Sequence, residues 1–444
     1  MPAVRRLVRH HWPAVAAFVF LLIAMLGFAH VRYDPERRGF VRDGTMVARS
    51  GDEPHYLVIM NSLLFDHDLE LRSDYRRGRS GGLELGARNA GLLVDHHTIV
   101  VDRTTGEHDL WPLVYQPERS VPWTAVGYAR RDERFPPYHE LVEVPAHPPA
   151  FPAMLAAVIA PFGPSIDTSE RDAGWAMVFV SWLTAVLTYA LGLRVFRARV
   201  PAMCAVGLLL CTPWLAYSRS YFSEPMIGLM LVAASFAFAE RRIVLAAVAV
   251  SIATAIKAPF VLVAAAFVID CAIDRRWRDA LVLMATVGAL GLGLAAFNFR
   301  LAGTPMIVGA GGSPPLGGLK SMYDTLLERD HGLICFVPWV PFAFLGLADS
   351  IRRKPSLSRA FAIATFFHFI VLSSSGFGPS DCFGPRYWVP LLPWFAIEGV
   401  RFFVRARPGF RVVAAAAMAL GALISISGAA LYTDSFMQAA NRWW

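Results

Sequence analysis

Charge and cysteine are scarce in this sequence, and lysine is almost missing. Only 17% of the 444 residues are Asp, Glu, Lys or Arg, against about a quarter in a soluble domain. With 55% hydrophobic residues and a mean hydropathy of +0.45, this excludes a cytosolic enzyme. The five cysteines, Cys204, Cys211, Cys271, Cys335 and Cys382, form no CxxC pair and no Cys/His cluster of metal-ligand spacing. Three lie within apolar runs as small hydrophobes, so neither a metal nor a redox cofactor is expected. Of 42 basic residues only Lys257, Lys320 and Lys354 are lysine. The net charge of +8 therefore reflects arginine-rich coding, and no nucleic-acid partner is expected.

What the sequence has instead is apolar length. Residues 1–11 carry Arg5, Arg6 and Arg9 ahead of an apolar run over 12–29, which reads as a signal anchor with its N-terminus in the cytoplasm. Gly27-Phe28-Ala29 could serve as a cleavage site, but 18 apolar residues exceed a usual signal-peptide core. A long polar stretch follows at 31–172, with 22 acidic residues against 16 arginines. It is expected to be a large extracytoplasmic loop. Its last apolar piece, residues 148–164, is broken by prolines at 148, 149, 152, 161 and 164, too often to cross a bilayer, and is expected to lie in the interface.

Further spans are expected at 173–193, 199–217, 223–239, 243–256, 258–273, 280–299, 332–348, 360–375, 386–404 and 412–431. With the first helix they make an all-α polytopic membrane protein of about eleven transmembrane helices. Its domains are the anchor (1–30), the loop with juxtamembrane helices and a β-hairpin (31–172), the ten-helix region (173–431) and an extracytoplasmic tail (432–444). Loops assigned to the cytoplasm hold 19 Lys and Arg; the short outer loops and the tail hold seven. Reading 243–273 as one helix would bury Lys257 halfway and reverse this bias, so a hairpin turned near Lys257-Ala258-Pro259 is expected, with the ammonium at the outer surface.

Under this topology the polar residues that packing explains least all face outward. Ser50-Gly51-Asp52-Glu53-Pro54-His55-Tyr56 opens a helix whose Tyr56, Ile59, Met60, Leu63 and Leu64 form one apolar stripe. Two readings stand for its acids. Ser50 with Glu53 is a capping box followed by a first-turn proline; equally, a carboxylate held at the membrane surface could act as a base toward a membrane-bound acceptor. Asp66-His67-Asp68 and Asp74-Tyr75 read as solvated loop. Residues 91–115 alternate apolar and polar about Arg103-Thr104-Thr105-Gly106, the pattern of a β-hairpin. His147-Pro148-Pro149 leads into the interfacial helix. The outer ends of the spans carry Arg219-Ser220-Tyr221-Phe222-Ser223-Glu224, Lys257, Arg329-Asp330-His331-Gly332 and Gly384-Pro385-Arg386-Tyr387. Such cations can snorkel, and they can also neutralise a lipid-linked phosphate that cannot leave the bilayer plane.

In this order the motifs resemble the GT-C superfamily of integral-membrane glycosyltransferases, the group that includes the protein O-mannosyltransferases and the lipid A aminoarabinose transferase. The resemblance rests on the acidic pair in the first outer loop, the downstream His147-Pro148-Pro149 and the Tyr221-Phe222-Ser223-Glu224-Pro225 run that opens a span. It also takes in Lys257, Gly332-Leu333 with Pro338, and Gly384-Pro385-Arg386-Tyr387 with Pro390-Leu391-Leu392-Pro393. It implies an inverting transfer of a sugar from a polyprenyl-phosphate donor to a lipid-linked or cell-envelope glycan acceptor. The setting would be the outer face of a bacterial inner membrane. Carried over by motif, Asp52 is the base and Glu53 its neighbour. Arg386 and Lys257 hold the donor phosphate, and His55, His147, Glu224, Arg219 and Tyr387 orient donor or acceptor. No metal is implied. Two other classes remain open: a polysaccharide polymerase or ligase, and a lipid or glycan transporter, which would place charge near the bilayer midplane.

Overall fold

The computed structural model describes residues 2–29, 31–34, 39–42, 52–71, 98–102, 104, 108–110, 141–166, 168–305, 318–329, 331–353, 356–374 and 383–431. Ser50, Asp74-Tyr75, Cys382, most of the turn foreseen around Thr104 and the tail at 432–444 lie outside these residues.

The described helices and strands are, in chain order, α1 (Pro2–Ala29), β1 (Val31–Asp34), β2 (Gly39–Arg42), α2 (Glu53–Asn61), β3 (Thr98–Asp102), β4 (His108–Leu110), β5 (Leu141–Pro145), α3 (Ala150–Ile159) and α4 (Ser169–Phe196). They continue with α5 (Arg199–Leu210), α6 (Glu224–Ala239), α7 (Ile243–Ile256), α8 (Val261–Ile273), α9 (Trp277–Ala302) and α10 (Gly318–Leu327). The last four are α11 (Val340–Arg352), α12 (Ser356–Ser374), α13 (Leu392–Arg405) and α14 (Pro408–Leu431). Short turns stand at Ser62–Asp66, Ala160–Phe162, Trp214–Tyr217, Ala258–Phe260, Leu333–Phe336 and Arg386–Leu391.

Two compact units emerge. One is built from Met1–Met46, Gly174–Gly288 and Pro314–Trp444, the other from Val47–Ala173 and Ala289–Ser313.

Helices occupy the described part of each expected span, with α9 divided between the two units. Five described helices are long and apolar enough to cross a membrane: Trp12–Ala29, Ser169–Phe196, Trp277–Ala302, Leu357–Ser374 and Pro408–Ala429. The others are shorter, and proline sets many of their borders. Pro225, Pro259 and Pro393 fall in the first turn of helical segments, where the missing N–H costs no bond. The expected break at Lys257 is present. Helix α7 ends at Ile256, Lys257 is extended (φ −144°, ψ 113°), and α8 begins after one 3₁₀ turn. The spans expected at 199–217 and 386–404 are interrupted helices, broken at Cys211–Pro213 and begun by the 3₁₀ turn Arg386–Leu391.

Arginine, not glycine, ends three helices in the left-handed region: Arg197 (φ 55°), Arg241 (φ 60°) and Arg275 (φ 56°) follow α4, α6 and α8. A cation there opposes the negative end of the helix dipole. Two buried ion networks join neighbouring helices. Asp270 on α8 is met by Arg276 (3.1 Å) and by Arg359 of α12 (2.7 Å). Glu398 on α13 accepts from Arg401 (2.9 Å), Ser358 (2.8 Å) and Ser350 (3.0 Å). Both acids thereby have the partners that a buried charge requires.

In the smaller unit, β3 pairs antiparallel with β4 (Ile99 opposite Leu110) and with β5 (Ile99 opposite Val144). Strand β5 was not foreseen, nor was the separate pair β1–β2 of the larger unit. Ile99, Val144 and Ala146 pack with Leu301 and Ala302, which explains why residues from the end of α9 belong to this unit. The segment after α2 is tied to β5: Leu71 N–H donates to Glu143 O (2.7 Å), and Glu143 N–H to Glu70 Oε1 (3.0 Å). Helix α2 departs from the expected amphipathic stripe. Tyr56, Leu57, Val58, Ile59 and Met60 are all buried, because Leu57 and Val58 are apolar too and α3 packs beside the helix. Helix α3 keeps two faces, with Phe151, Leu155 and Ile159 buried and Val158 exposed, and Phe162 in the turn that follows is exposed too.

Candidate functional site

The larger unit gathers three of the sequence-predicted residues, Lys257, Arg386 and Tyr387, at the carboxylate of a fourth, Glu224. The chain turns tightly between Trp214–Tyr217 and α6: Ser220 Oγ donates to Tyr217 O (3.0 Å) and accepts from Phe222 N–H (3.4 Å). Glu224 then enters the first turn of α6, only 1% exposed. Its Oε1 accepts from Lys257 Nζ and from Arg386 Nε (2.9 Å). Lys257 can reach it because the helix break leaves its backbone extended.

Arg386 is reached differently. Gly384 takes φ +64°, and a Cβ there would meet the ring of Phe336 at 2.7 Å, so glycine suits both the turn and the close approach. Tyr217 OH donates to Phe383 O (3.1 Å), fixing this segment against the turn before α6. Arg386 N–H donates to Gly384 O (2.8 Å), and the guanidinium carbon lies 4.0 Å from the centre of the Phe222 ring and 5.6 Å from that of Tyr387. Lys257 Nζ also lies over Tyr387, at 5.0 Å. Aromatic faces attract both cations without consuming their donors. Sequence reasoning left Phe222 without a role although it stands inside the quoted motif. Its place beneath Arg386 depends on a contact 164 residues away.

Arg219 is elsewhere in the same unit. Its Nη1 donates to Ala429 O (2.7 Å) and its Nη2 to Ala29 O (3.3 Å), with the guanidinium 5.0 Å from the Phe28 ring centre. It thus satisfies carbonyls at the ends of α14 and α1, where a cation is favoured.

The smaller unit holds the other predicted residues. Asp52 occupies the N-cap position of α2 with helical angles (φ −76°, ψ −18°), and its side chain makes no capping bond. The first helical bond runs from Tyr56 N–H to Asp52 O (3.1 Å). Glu53 is 1% exposed. His147 follows β5 and precedes Pro149, the N-cap of α3. Its ring stacks on His55 with centroids 5.2 Å apart and meets Tyr56 at 5.5 Å; Tyr56 in turn packs edge-on against Phe151 at 5.0 Å. The fold therefore brings His147 from far along the chain to the turn that carries Asp52 and Glu53.

No family model and no curated protein sequence matches this sequence. Solved structures do match. ArnT from Cupriavidus metallidurans in the apo state superposes with a TM-score of 0.53 and 15% identity, covering 97% of this chain and 68% of that one. The same protein bound to undecaprenyl phosphate gives 0.50 and 13%, over 92% and 63% of the two chains. An oligosaccharyltransferase from Archaeoglobus fulgidus, also in the apo form, gives 0.51 and 13%, over 97% and 56%. This chain thus spans between about half and two-thirds of its neighbours' length. At such identities the likeness is one of fold: the chain is a multi-pass membrane protein whose fold is similar to those of ArnT and of this oligosaccharyltransferase.

Proposed function

We propose that this protein is an inverting glycosyltransferase that moves one sugar from a polyprenyl-phosphate donor to a lipid-linked or cell-envelope glycan acceptor. In this reading the chain crosses a bacterial inner membrane about eleven times and works at its outer face, with α3 lying in the interface. The observation that carries the proposal is the convergence of Lys257 and Arg386 on one oxygen of buried Glu224. Two cations that meet at one buried carboxylate present the charged donors that an anionic lipid phosphate requires. The undecaprenyl phosphate bound by ArnT supports a ligand of this chemistry.

The chemistry follows from the side chains. As the acceptor hydroxyl attacks the anomeric carbon, the bond from that carbon to the phosphate oxygen breaks and negative charge grows on the departing phosphate. Lys257 and Arg386 stabilise that charge. A sugar hydroxyl is a poor nucleophile until its proton is removed, and Asp52 takes that proton. Attack from the side opposite the phosphate inverts the anomeric centre. Glu53, buried beside Asp52, braces the turn, while His55 and His147 form an aromatic wall that orients the acceptor. Glu224 and Tyr387 align the cations, and Arg219 steadies the helix ends that lead into the Tyr221–Glu224 turn.

Binding of undecaprenyl phosphate to the purified protein in nanodiscs tests the core of this reading. Lys257→Glu and Arg386→Glu are each expected to weaken binding at least tenfold. If both variants bind as tightly as the parent, the phosphate site is wrongly assigned.

A further inference from the structure

His368 stands alone in an apolar run on α12 and is nearly buried, at 7% exposure. Its Nε2 lies 2.8 Å from the carbonyl oxygen of Tyr387. A carbonyl can only accept, so Nε2 carries the proton and donates. The face of the ring stacks on Phe260 (centroids 5.3 Å, rings at 27°), and it meets Trp388 nearly edge-on (5.3 Å, 77°).

These contacts belong to the two turns that bear the cations. Phe260 closes the turn that starts at Lys257, its N–H donating to Lys257 O (3.1 Å). Tyr387 and Trp388 lie in the 3₁₀ turn that starts at Arg386. In such a turn the carbonyl of residue 387 would accept from the N–H of residue 390. Residue 390 is proline, which has none. The imidazole of His368 supplies a donor in its place and fills the space between the turns.

We propose that His368 is a positioning residue for the phosphate site: by donating to Tyr387 O and packing between Phe260 and Trp388, it sets the spacing of Lys257 and Arg386. The proposal rests on the reading that these two cations hold the donor phosphate. It assigns His368 no contact with substrate.

The test is undecaprenyl phosphate affinity measured on full-length protein in nanodiscs. His368→Phe keeps an aromatic ring and loses the donor; His368→Gln loses the ring and keeps an N–H donor. His368→Phe should weaken binding about tenfold, the weight of one well-placed hydrogen bond, and His368→Gln should recover part of the loss. Because His368 acts through the Arg386 turn, adding His368→Phe to Arg386→Met should change affinity less than twofold beyond Arg386→Met alone, a non-additivity expected of coupled residues. A purely structural role would instead lower the melting temperature of His368→Phe while its folded fraction binds like the parent, and that result would overturn the proposal. Where Arg386→Met weakens binding and His368→Phe does not, the role of His368 alone is refuted. If Arg386→Met itself binds like the parent, the phosphate-site reading fails and this proposal with it.

Discussion

Oε1 of Glu224 accepts from Lys257, 33 positions further along the chain, and from Arg386, 162 positions along. Three helical segments with no neighbouring sequence therefore meet at one atom. A buried carboxylate with two cationic partners is stable only while both stay close, because the cost of removing each charge from water is offset by their attraction. That arrangement fixes the positions of the cations before any ligand arrives.

Glu224→Gln keeps the shape of this centre and removes its anion. Removing one partner from this buried ion cluster should cost about 3–5 kcal/mol, read as a lower melting temperature. Undecaprenyl phosphate, which supplies an anion, should then raise the melting temperature of the variant by more than that of the parent. An equal or smaller ligand-induced shift would count against the charge balance described above.

Asp52→Asn separates capping from catalysis. Asparagine keeps the size of the side chain and an acceptor oxygen, so the replacement should change stability by no more than the loss of a helix cap, about 1 kcal/mol. Transfer in a single-turnover assay should fall by about 10²–10⁴-fold, the usual contribution of a positioned base. A rate within a few-fold of the parent would remove Asp52 from the chemistry.

Gly228 on α6 sits under Trp214. An added Cβ would come within 2.6 Å of that ring and 3.5 Å of Pro390 Cα. Gly228→Ala should therefore force α6 away from the turn that carries Arg386 and destabilise the protein by about 1–3 kcal/mol, as overpacking of a close contact does. Thermal unfolding in detergent checks this; an unchanged melting temperature would show that the contact yields freely.

The proposed orientation can be read with single cysteines in a Cys-less background. Ser165 and Ala198 are both exposed, on either side of α4. Ser165→Cys should react with a membrane-impermeant maleimide added to intact cells, and Ala198→Cys only after the membrane is opened. The opposite pattern would invert the topology derived from the 19-to-7 charge bias.

Much of the helical layout was legible in the sequence because a membrane helix satisfies its own backbone bonds, so apolar length and proline, both local properties, mark its borders. The expected segments at 243–256 and 258–273 match α7 and α8 for this reason, and Lys257 was singled out as the residue at their break. The motif residues Glu224, Arg386 and Tyr387 were likewise visible as unusual polar groups at span ends. Their mutual arrangement was not. Which cation meets which acid depends on packing between segments up to 162 residues apart, and no local pattern encodes it. The same limit hid Phe222 beneath Arg386, sent Arg219 to two helix ends, and concealed β5, whose partner β3 lies across a long intervening stretch. The expected stripe on α2 failed for a related reason: periodicity shows which face is apolar, whereas the neighbours that bury the remaining faces are supplied only by the folded chain.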